Sequence, residues 1–483
     1  MWLEYSRPQN ELAIVAAMDV LPKTLDYGHE GNAVPYAYRE SLLGRLDARF
    51  FKNQTVPIIL SILLAAALII PSIQASVRIR KIDKSAFREG GERHQTALGR
   101  WLPTAGALSD GSAAPYGQGH WFPTPPFVLM CLVPFYKMGY AASGVMWAAL
   151  KAGGFVLAMG LLLRTMIQSG HRVPLGVLLM AGLFGIRPII SDLQHANLNI
   201  FMVIWVALAW TCYLRDRDFL AGLFVALAIV TKITPALLLV YFLYKRQWKV
   251  CIGSALGLAI VVFIIPGLYV GFAKNIEMLT AWYHMLAEPF ARHGWATIEI
   301  ANQSLYGTLL RILSNAGQLT IEHMSVNQAM EIGMEDMARP VTALGNLIRP
   351  CISLVMLGSL AWLCRKRSSN RGDIRAWLEL ALVLIAMLLM GERTWKHHAT
   401  TLPIVYLVVW YVMTCQPWSN RFRGWCVAAL TFQFAFLVVG GEGFLGDRLA
   451  DRMLDGGFFC WGLVICGAQV AAMLVATQRA ALR

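Results

Sequence analysis

Four polar stretches interrupt an otherwise apolar chain, and their residue types suit contact with a phosphate or with sugar hydroxyls. The first is Asp192-Leu193-Gln194-His195-Ala196-Asn197-Leu198-Asn199. Its carboxamides, Asn197 and Asn199, could bind hydroxyls or a phosphate, and Asp or Asn at such a place could equally cap a helix start. The second is Lys232, inside Thr231-Lys232-Ile233-Thr234-Pro235. A cation beside broken helix ends could hold a phosphate, with the helix termini assisting; the plainer reading is a lysine snorkelling to an interface.

The third stretch is Ile300-Ala301-Asn302-Gln303-Ser304-Leu305-Tyr306-Gly307, followed by Arg311. Asn302 and Gln303 could line a substrate site, and Arg311 shares a helix face with Gly307 by an i, i+4 step. The same residues also read as a helix N-cap and as a formal N-x-S acceptor, a weak motif. The fourth is Glu392-Arg393-Thr394-Trp395-Lys396-His397-His398. Adjacent histidines point to different faces of a helix and lack the H-E-x-x-H spacing, so no metal site is expected. Lys396 or His397 facing a phosphate, with Trp395 stacked on a sugar, fits better; an interfacial aromatic and basic belt fits as well.

A polar loop from Val77 to Pro126 completes the set. It carries Asp83, Glu89, Glu92 and Asp110 with seven Lys/Arg residues, and ends Gly119-His120-Trp121-Phe122-Pro123-Thr124-Pro125-Pro126. Inverting glycosyl transfer needs one placed carboxylate to take the acceptor proton and cations to stabilise the departing phosphate. The loop supplies the acids Glu92, Asp83 and Glu89. Lys232, Arg311, Lys396 and His397 supply the cations, and Asn197, Asn199, Asn302, Gln303, His120 and Trp395 the substrate contacts. Any single loop acid can also be a solvated surface charge.

The elements that must position these residues follow from composition. The chain has 483 residues, of which 57% are hydrophobic and 14% charged, with mean hydropathy +0.53. That is too apolar for one water-soluble core, and in lipid only helices or closed barrels satisfy the backbone. The apolar runs are continuous for about twenty residues rather than alternating, which excludes an outer-membrane barrel. The expected fold is an all-α polytopic membrane protein. Spans are predicted at 56–76, 143–164, 173–191, 196–214, 249–272, 346–364, 376–391, 398–414, 424–441 and 457–478. The first run lies too far from the start for a cleaved signal peptide. Residues 1–55 read as a cytosolic arm and 56–483 as one membrane domain, with no internal repeat.

The formal charge of +14 comes from short clusters between apolar runs, so positive-inside topology rather than nucleic-acid binding explains it. Segment 125–138 is short and proline-rich; segment 219–244 is broken at 231–235. If the first only dips into the bilayer and the second is a re-entrant hairpin, the basic clusters at 164/172, 215/217, 245–249, 365–371, 421/423 and 479/483 all fall inside. The seven basic residues of the polar loop then lie outside, with residues 191–196, Lys232, 273–346 and 391–398. Nine cysteines without C-x-x-C spacing read as packing residues, implying neither disulfides nor metal.

Together these stretches resemble glycosyltransferase family 87 of the GT-C superfamily. The resemblance rests on Tyr116 with Phe122-Pro123-Thr124-Pro125-Pro126, which is similar to the family's Y…YPP element. It rests also on Ala196-Asn197-Leu198-Asn199, where the family usually shows Gly-Gln-x-Asn, and on Thr231-Lys232-Ile233-Thr234-Pro235, Asn302-Gln303-Ser304-Leu305 and Trp395-Lys396-His397-His398, in the family's order over about residues 56–415. It implies a GT-C-like bundle of about 10–12 transmembrane helices with an outward-facing cavity. It also implies a polyprenyl-phosphate sugar donor and an Asp or Glu base in the first outer loop. No Asp stands at the family's usual spacing before Thr96-Ala97-Leu98-Gly99-Arg100-Trp101; Glu92 is the nearest upstream acid, with Asp83 and Glu89 as competitors. The expected activity is inverting transfer of a hexose such as mannose to a lipid or glycan acceptor, at the outer face of a bacterial inner membrane and without a cofactor. A multi-pass secondary transporter or flippase is the alternative, which would show internal pseudo-symmetry and midplane charges.

Overall fold

The computed structural model describes residues 55–85, 96–111, 115–116, 122–325, 336–366 and 370–480. The chain is helical almost throughout, as its continuous apolar runs require in lipid. Helix α1 is Thr55–Ser85, α2 Ala97–Asp110, α3 Pro126–Lys137, α4 Gly139–Gln168, α5 Leu175–His195, α6 Asn199–Leu214, α7 Asp218–Thr231, α8 Ala236–Tyr244 and α9 Trp248–Val270. After α10, Phe272–Trp282, come α11 at Leu305–Asn315, α12 at Ala343–Leu363, α13 at Ile374–Leu389, α14 at Leu402–Cys415, α15 at Asn420–Val439, α16 at Asp447–Asp455 and α17 at Phe458–Ala480. Six of these, α4, α5, α9, α12, α15 and α17, are long and apolar enough to cross a membrane. Shorter apolar helices, α3, α6, α7 and α14, fill the bundle between them.

The core sits on α13 and α14, whose residues are buried on every side. Beyond Arg375 and Glu379 in the first turns of α13 they are apolar on all faces, because each meets protein all round where a surface helix would show one stripe. A small antiparallel sheet of Ala296–Thr297 (β1), Ile321–His323 (β2) and Met337–Pro340 (β3), in the order β1-β3-β2, lies outside the bundle. All nine cysteines are unbridged.

The broken segment folds back on itself. Helix α7 ends at Lys232 and α8 begins after Pro235, because proline has no N–H to donate and closes the preceding helix. The Arg371 guanidinium donates to Asp218 at the start of α7 and, at 3.3 Å, to Gln247 just beyond α8. Both open ends of the hairpin therefore meet at one end of the bundle, and Lys232 stands at the tip. Helix α9 then runs parallel to α7. The two approach so closely that a Cβ on Gly222 would stand 2.2 Å from the Val250 carbonyl, the close backbone contact small residues permit between membrane helices.

The polar loop begins later than the apolar run suggests. Helix α1 continues through Arg78, Arg80 and Asp83 to Ser85, since Arg, Lys and Ile propagate a helix after the sequence turns polar. Thr96 then caps α2, accepting from Gly99 N–H. Helix α3, at twelve residues, is about 18 Å long and too short for a hydrocarbon core of roughly 30 Å. Helices α2 and α3 share one apolar cluster with Ala196, Leu198, Val230, Val261 and Met278, so the described part of the loop packs beside the α5–α6 turn and the hairpin tip.

Candidate functional site

One end of the bundle gathers most of the polar stretches. Helix α5 ends on Ala196, whose left-handed φ of 50° turns the chain straight into α6. Across this turn Asp192, fully buried, accepts from Asn199 Nδ2 at 2.8 Å and from Ile200 N–H at 3.3 Å. It thereby caps the first turn of α6, as Asp can. Its second oxygen meets Lys151 Nζ at 2.8 Å, on a side chain 1% exposed in the middle of α4. Asn199 Oδ1 in turn accepts from Lys232 Nζ at 2.8 Å. Lys151, Asp192, Asn199 and Lys232 thus form one continuous chain from the bundle interior to the hairpin tip. Trp147 donates to the Ala196 carbonyl and pins the turn from the side.

The fourth stretch closes over this chain. Lys396–His398 form a single 3-10 turn, in which Lys396 is half-buried. His397 Nε2 lies 3.3 Å from Asn197 Nδ2, and its ring stacks at 4.6 Å on the exposed His195. Burial, then the neighbouring His398, His195, Lys232 and Lys151 charges, hold His397 well below the ordinary histidine range. Burial, then Lys232, does the same for His398. Burial thus favours the neutral imidazole in both rings, the form that has an accepting nitrogen. Trp395 is anchored rather than free: its indole N–H donates to Glu299 at 2.6 Å, and Arg393 and His398 lie against its ring.

Asn302, Gln303 and Arg311 sit beside this turn with their polar atoms committed to the fold. Asn302 donates to the Thr297 and Glu392 carbonyls and accepts from Ser304 and Thr394 N–H. Gln303 donates to Ile300 and Leu454 carbonyls and accepts from Cys460 N–H. Arg311 donates to carbonyls of Ile298, Glu299, Asn302, Leu454 and Asp455. Ser304 caps α11 through Gly307 N–H, the simpler of the readings its sequence allows. Asn302 holds the 297–304 segment against Glu392 and Thr394, while Gln303 and Arg311 tie it to residues 454–460.

Lys232, Asn197, Asn199, Lys396, His397 and Trp395 therefore share one end of the bundle, with Asn302, Gln303 and Arg311 as its frame. Glu89, Glu92 and His120 lie outside the described residues. Asp83 falls in the last turn of α1, and its side chain also lies outside them.

Several participants escaped sequence reasoning. Lys151 is a lone cation within an apolar run, a signal that marks function or a buried partner in membrane segments. Its pairing with Asp192, forty-one positions away, has no sequence signature. Glu299 and Arg393, 3.7 Å apart, and Glu392, paired at 2.9 Å with Arg349, likewise meet only in the fold. Burial outweighs Arg349 and Arg393 at Glu392 and pushes its carboxyl up to about 7.

A polytopic helical membrane protein with a polar site at one end of its bundle is thus the class these features define. The chain belongs to glycosyltransferase family 87, whose profile matches residues 122–391. It is 23% identical over 295 residues to a polyprenol-phosphate-mannose-dependent alpha-(1-2)-phosphatidylinositol pentamannoside mannosyltransferase of Mycobacterium tuberculosis, covering 60% of this chain and 58% of the relative. It is also 23% identical over 363 residues to a polyprenol-phosphate-mannose-dependent alpha-(1-2)-phosphatidylinositol mannoside mannosyltransferase of Mycolicibacterium smegmatis, covering 70% of this chain and 77% of the relative. No solved structure matches the chain.

Proposed function

We propose that this protein is an inverting glycosyltransferase that moves a hexose, with mannose the first candidate, from a polyprenyl phosphate to a lipid or glycan acceptor. The observation that carries this reading is the chain Lys151, Asp192, Asn199 and Lys232, four residues within the segment matched by the family, which fixes the Lys232 amine at a broken-helix tip beside Asn197 and His397. Both relatives are named for a polyprenol-phosphate-mannose donor, which favours the same donor class here.

In this reading Lys232, with Lys396, faces the donor phosphate and stabilises the charge that grows as the sugar–phosphate bond breaks. The acceptor hydroxyl attacks the anomeric carbon from the opposite face, and its proton passes to a carboxylate, with Asp83, Glu89 and Glu92 as candidates. The bond electrons leave with the phosphate, so charge and protons balance. His397, neutral through burial, and Asn197 orient sugar hydroxyls, while Asn302, Gln303 and Arg311 act as positioning residues.

The other end of the bundle carries Arg164, Arg172, Arg215, Arg217, Lys245, Arg246, Arg365 and Arg371 at or beside helix ends. The positive-inside rule assigns that end to the cytosol of a bacterial inner membrane, and the site to its outer face. A membrane assay with radiolabelled polyprenyl-phosphate sugars tests the proposal. Transfer from one donor, reduced in Asp83→Asn or Glu92→Gln, is expected; no transfer from any donor would overturn it.

A further inference from the structure

Between α12, α15 and α17, toward the end opposite the site, lies a groove that the reaction proposed above does not use. Its volume is about 750 Å³, within the roughly 300–1,000 Å³ of clefts that hold a ligand. Helix α12 is tied to the rest of the fold near both of its ends. Arg349 meets Glu392 at 2.9 Å, and Gln478 of α17 donates to the Leu363 carbonyl at 2.9 Å. Of its twenty-one residues Gly345 and Leu363 alone are buried, so between the ties α12 stands off from its neighbours. Small residues normally let membrane helices close on one another. Here Gly358, Ala471, Ala472 and Ala476 face a gap instead, and a Cβ built on Gly358 would meet nothing within 4 Å.

The mouth of the groove is positive without compensation. Trp362 and Phe422 line it where α12 ends and α15 begins. The Arg365 guanidinium lies 4.6 Å over the Trp362 ring, and Arg421 and Arg423 flank Phe422 in the chain. Arg423 donates to the Gln416 carbonyl at 3.3 Å, while its Nε is buried without a partner among the described residues. Helices α12, α15 and α17 contain no Asp or Glu. The carboxylates elsewhere at this end are engaged: Glu379 by Lys245, Asp216 and Asp218 by Arg371, and Asp373 by the first turn of α13. Arg365, Arg421 and Arg423 form no ion pair among the described residues. Positive-inside topology accounts for cations at this end; it does not account for an apolar groove opening among those that lack carboxylates.

We infer that this groove binds one anionic phospholipid of the leaflet on this side, an acyl chain lying between α12 and α17 and its phosphodiester meeting Arg365, Arg421 and Arg423. The inference is independent of the glycosyl-transfer reading. The small apolar lining takes a flexible chain, and three uncompensated guanidiniums take a headgroup of net negative charge, as basic pockets between membrane helices do. A zwitterionic headgroup brings its own cation and gains less. Trp362, 56% exposed, and Trp425, 43% exposed, mark the interfacial level at which headgroups lie. A second copy of this chain packed here about a two-fold axis would set these arginines against their own counterparts.

The test uses the full chain purified in neutral detergent. Phosphatidylglycerol, phosphatidylcholine of the same acyl chains, and glycerol phosphate, which has none, are each titrated in. Retained lipid is counted by native mass spectrometry and the unfolding temperature is followed. One retained phosphatidylglycerol per chain is expected, with a stabilisation that the other two additives do not give. Its apparent affinity should fall about tenfold or more when Arg365→Gln, Arg421→Gln and Arg423→Gln are combined. A similar fall is expected in Gly358→Leu, which fills the groove and keeps the arginines. Should the triple variant fail to fold, Gly358→Leu decides, since leucine favours a helix more than glycine does. Equal retention of the two lipids, or an unchanged affinity in Gly358→Leu, would overturn the inference. A dimer that Gly358→Leu dissolves would overturn it in favour of a second copy.

Discussion

Two buried lysine–carboxylate pairs, one at each end of the bundle, show how similar chemistry is put to different ends. Lys245 and Glu379 are closed in: the lysine donates to two backbone carbonyls and the carboxylate takes a tyrosine hydroxyl. Every valence of the pair returns to the scaffold, and it ties α8 to α13. Lys151 and Asp192 are instead the root of a chain that passes through Asn199 to Lys232. That chain ends at a helix break, among the left-handed turn at Ala196 and the 3-10 turn at 396–398. Where the backbone is broken at membrane depth it must line protein or a cavity, and here the free polar ends converge.

The largest effects come from breaking either pair on one side. Lys245→Met and Lys151→Met each strand a buried carboxylate, and each should lose about 3–5 kcal/mol of stability in a detergent unfolding assay. The comparison sharpens in double variants. Lys245→Met with Glu379→Leu removes both charges and should recover most of the loss. Lys151→Met with Asp192→Leu should recover stability while transfer stays at least about tenfold low, because Asn199 no longer holds Lys232 in place. Recovery of full transfer in that second double variant would place the chain outside the reaction.

Arg311→Gln should cost about 3 kcal/mol, since several buried carbonyls lose a charged donor; an unchanged unfolding midpoint would contradict its role as the frame. The smallest effect concerns Glu392, whose carboxyl burial pushes up to about 7. The folded form holds its proton more tightly than the unfolded one, so this contribution is complete at about pH 4 and declines as pH rises through about 7. For a side chain 29% exposed the change is about 1 kcal/mol after allowance for solvent screening. The slope of unfolding midpoint against pH between 5 and 8 should flatten in Glu392→Gln.

Much of this was legible in the sequence, for physical reasons. Continuous apolar runs declare helices in lipid, and Thr231 to Pro235 declares a break because proline cannot continue the ladder. The hairpin followed from grouping the basic clusters on one side, and the Arg371 contacts to Asp218 and Gln247 bear out that geometry. The extent of α1 was less readable, since Arg and Lys both end an apolar run and extend a helix. The amide residues Asn302 and Gln303 carry the same letters whether they meet a sugar or a carbonyl; only the fold shows four backbone partners around Asn302. Pairings such as Lys151 with Asp192, or Trp395 with Glu299, join distant positions and leave no local trace.

The central claim is that the side chain of Lys232, fixed by Asn199 and Asp192, holds the donor phosphate. Its most direct test is transfer from radiolabelled polyprenyl-phosphate mannose by membranes carrying wild type or Lys232→Met at matched protein levels. A fall of about 100-fold or more, with the unfolding midpoint little changed, is the expected result. Undiminished transfer in Lys232→Met would contradict it.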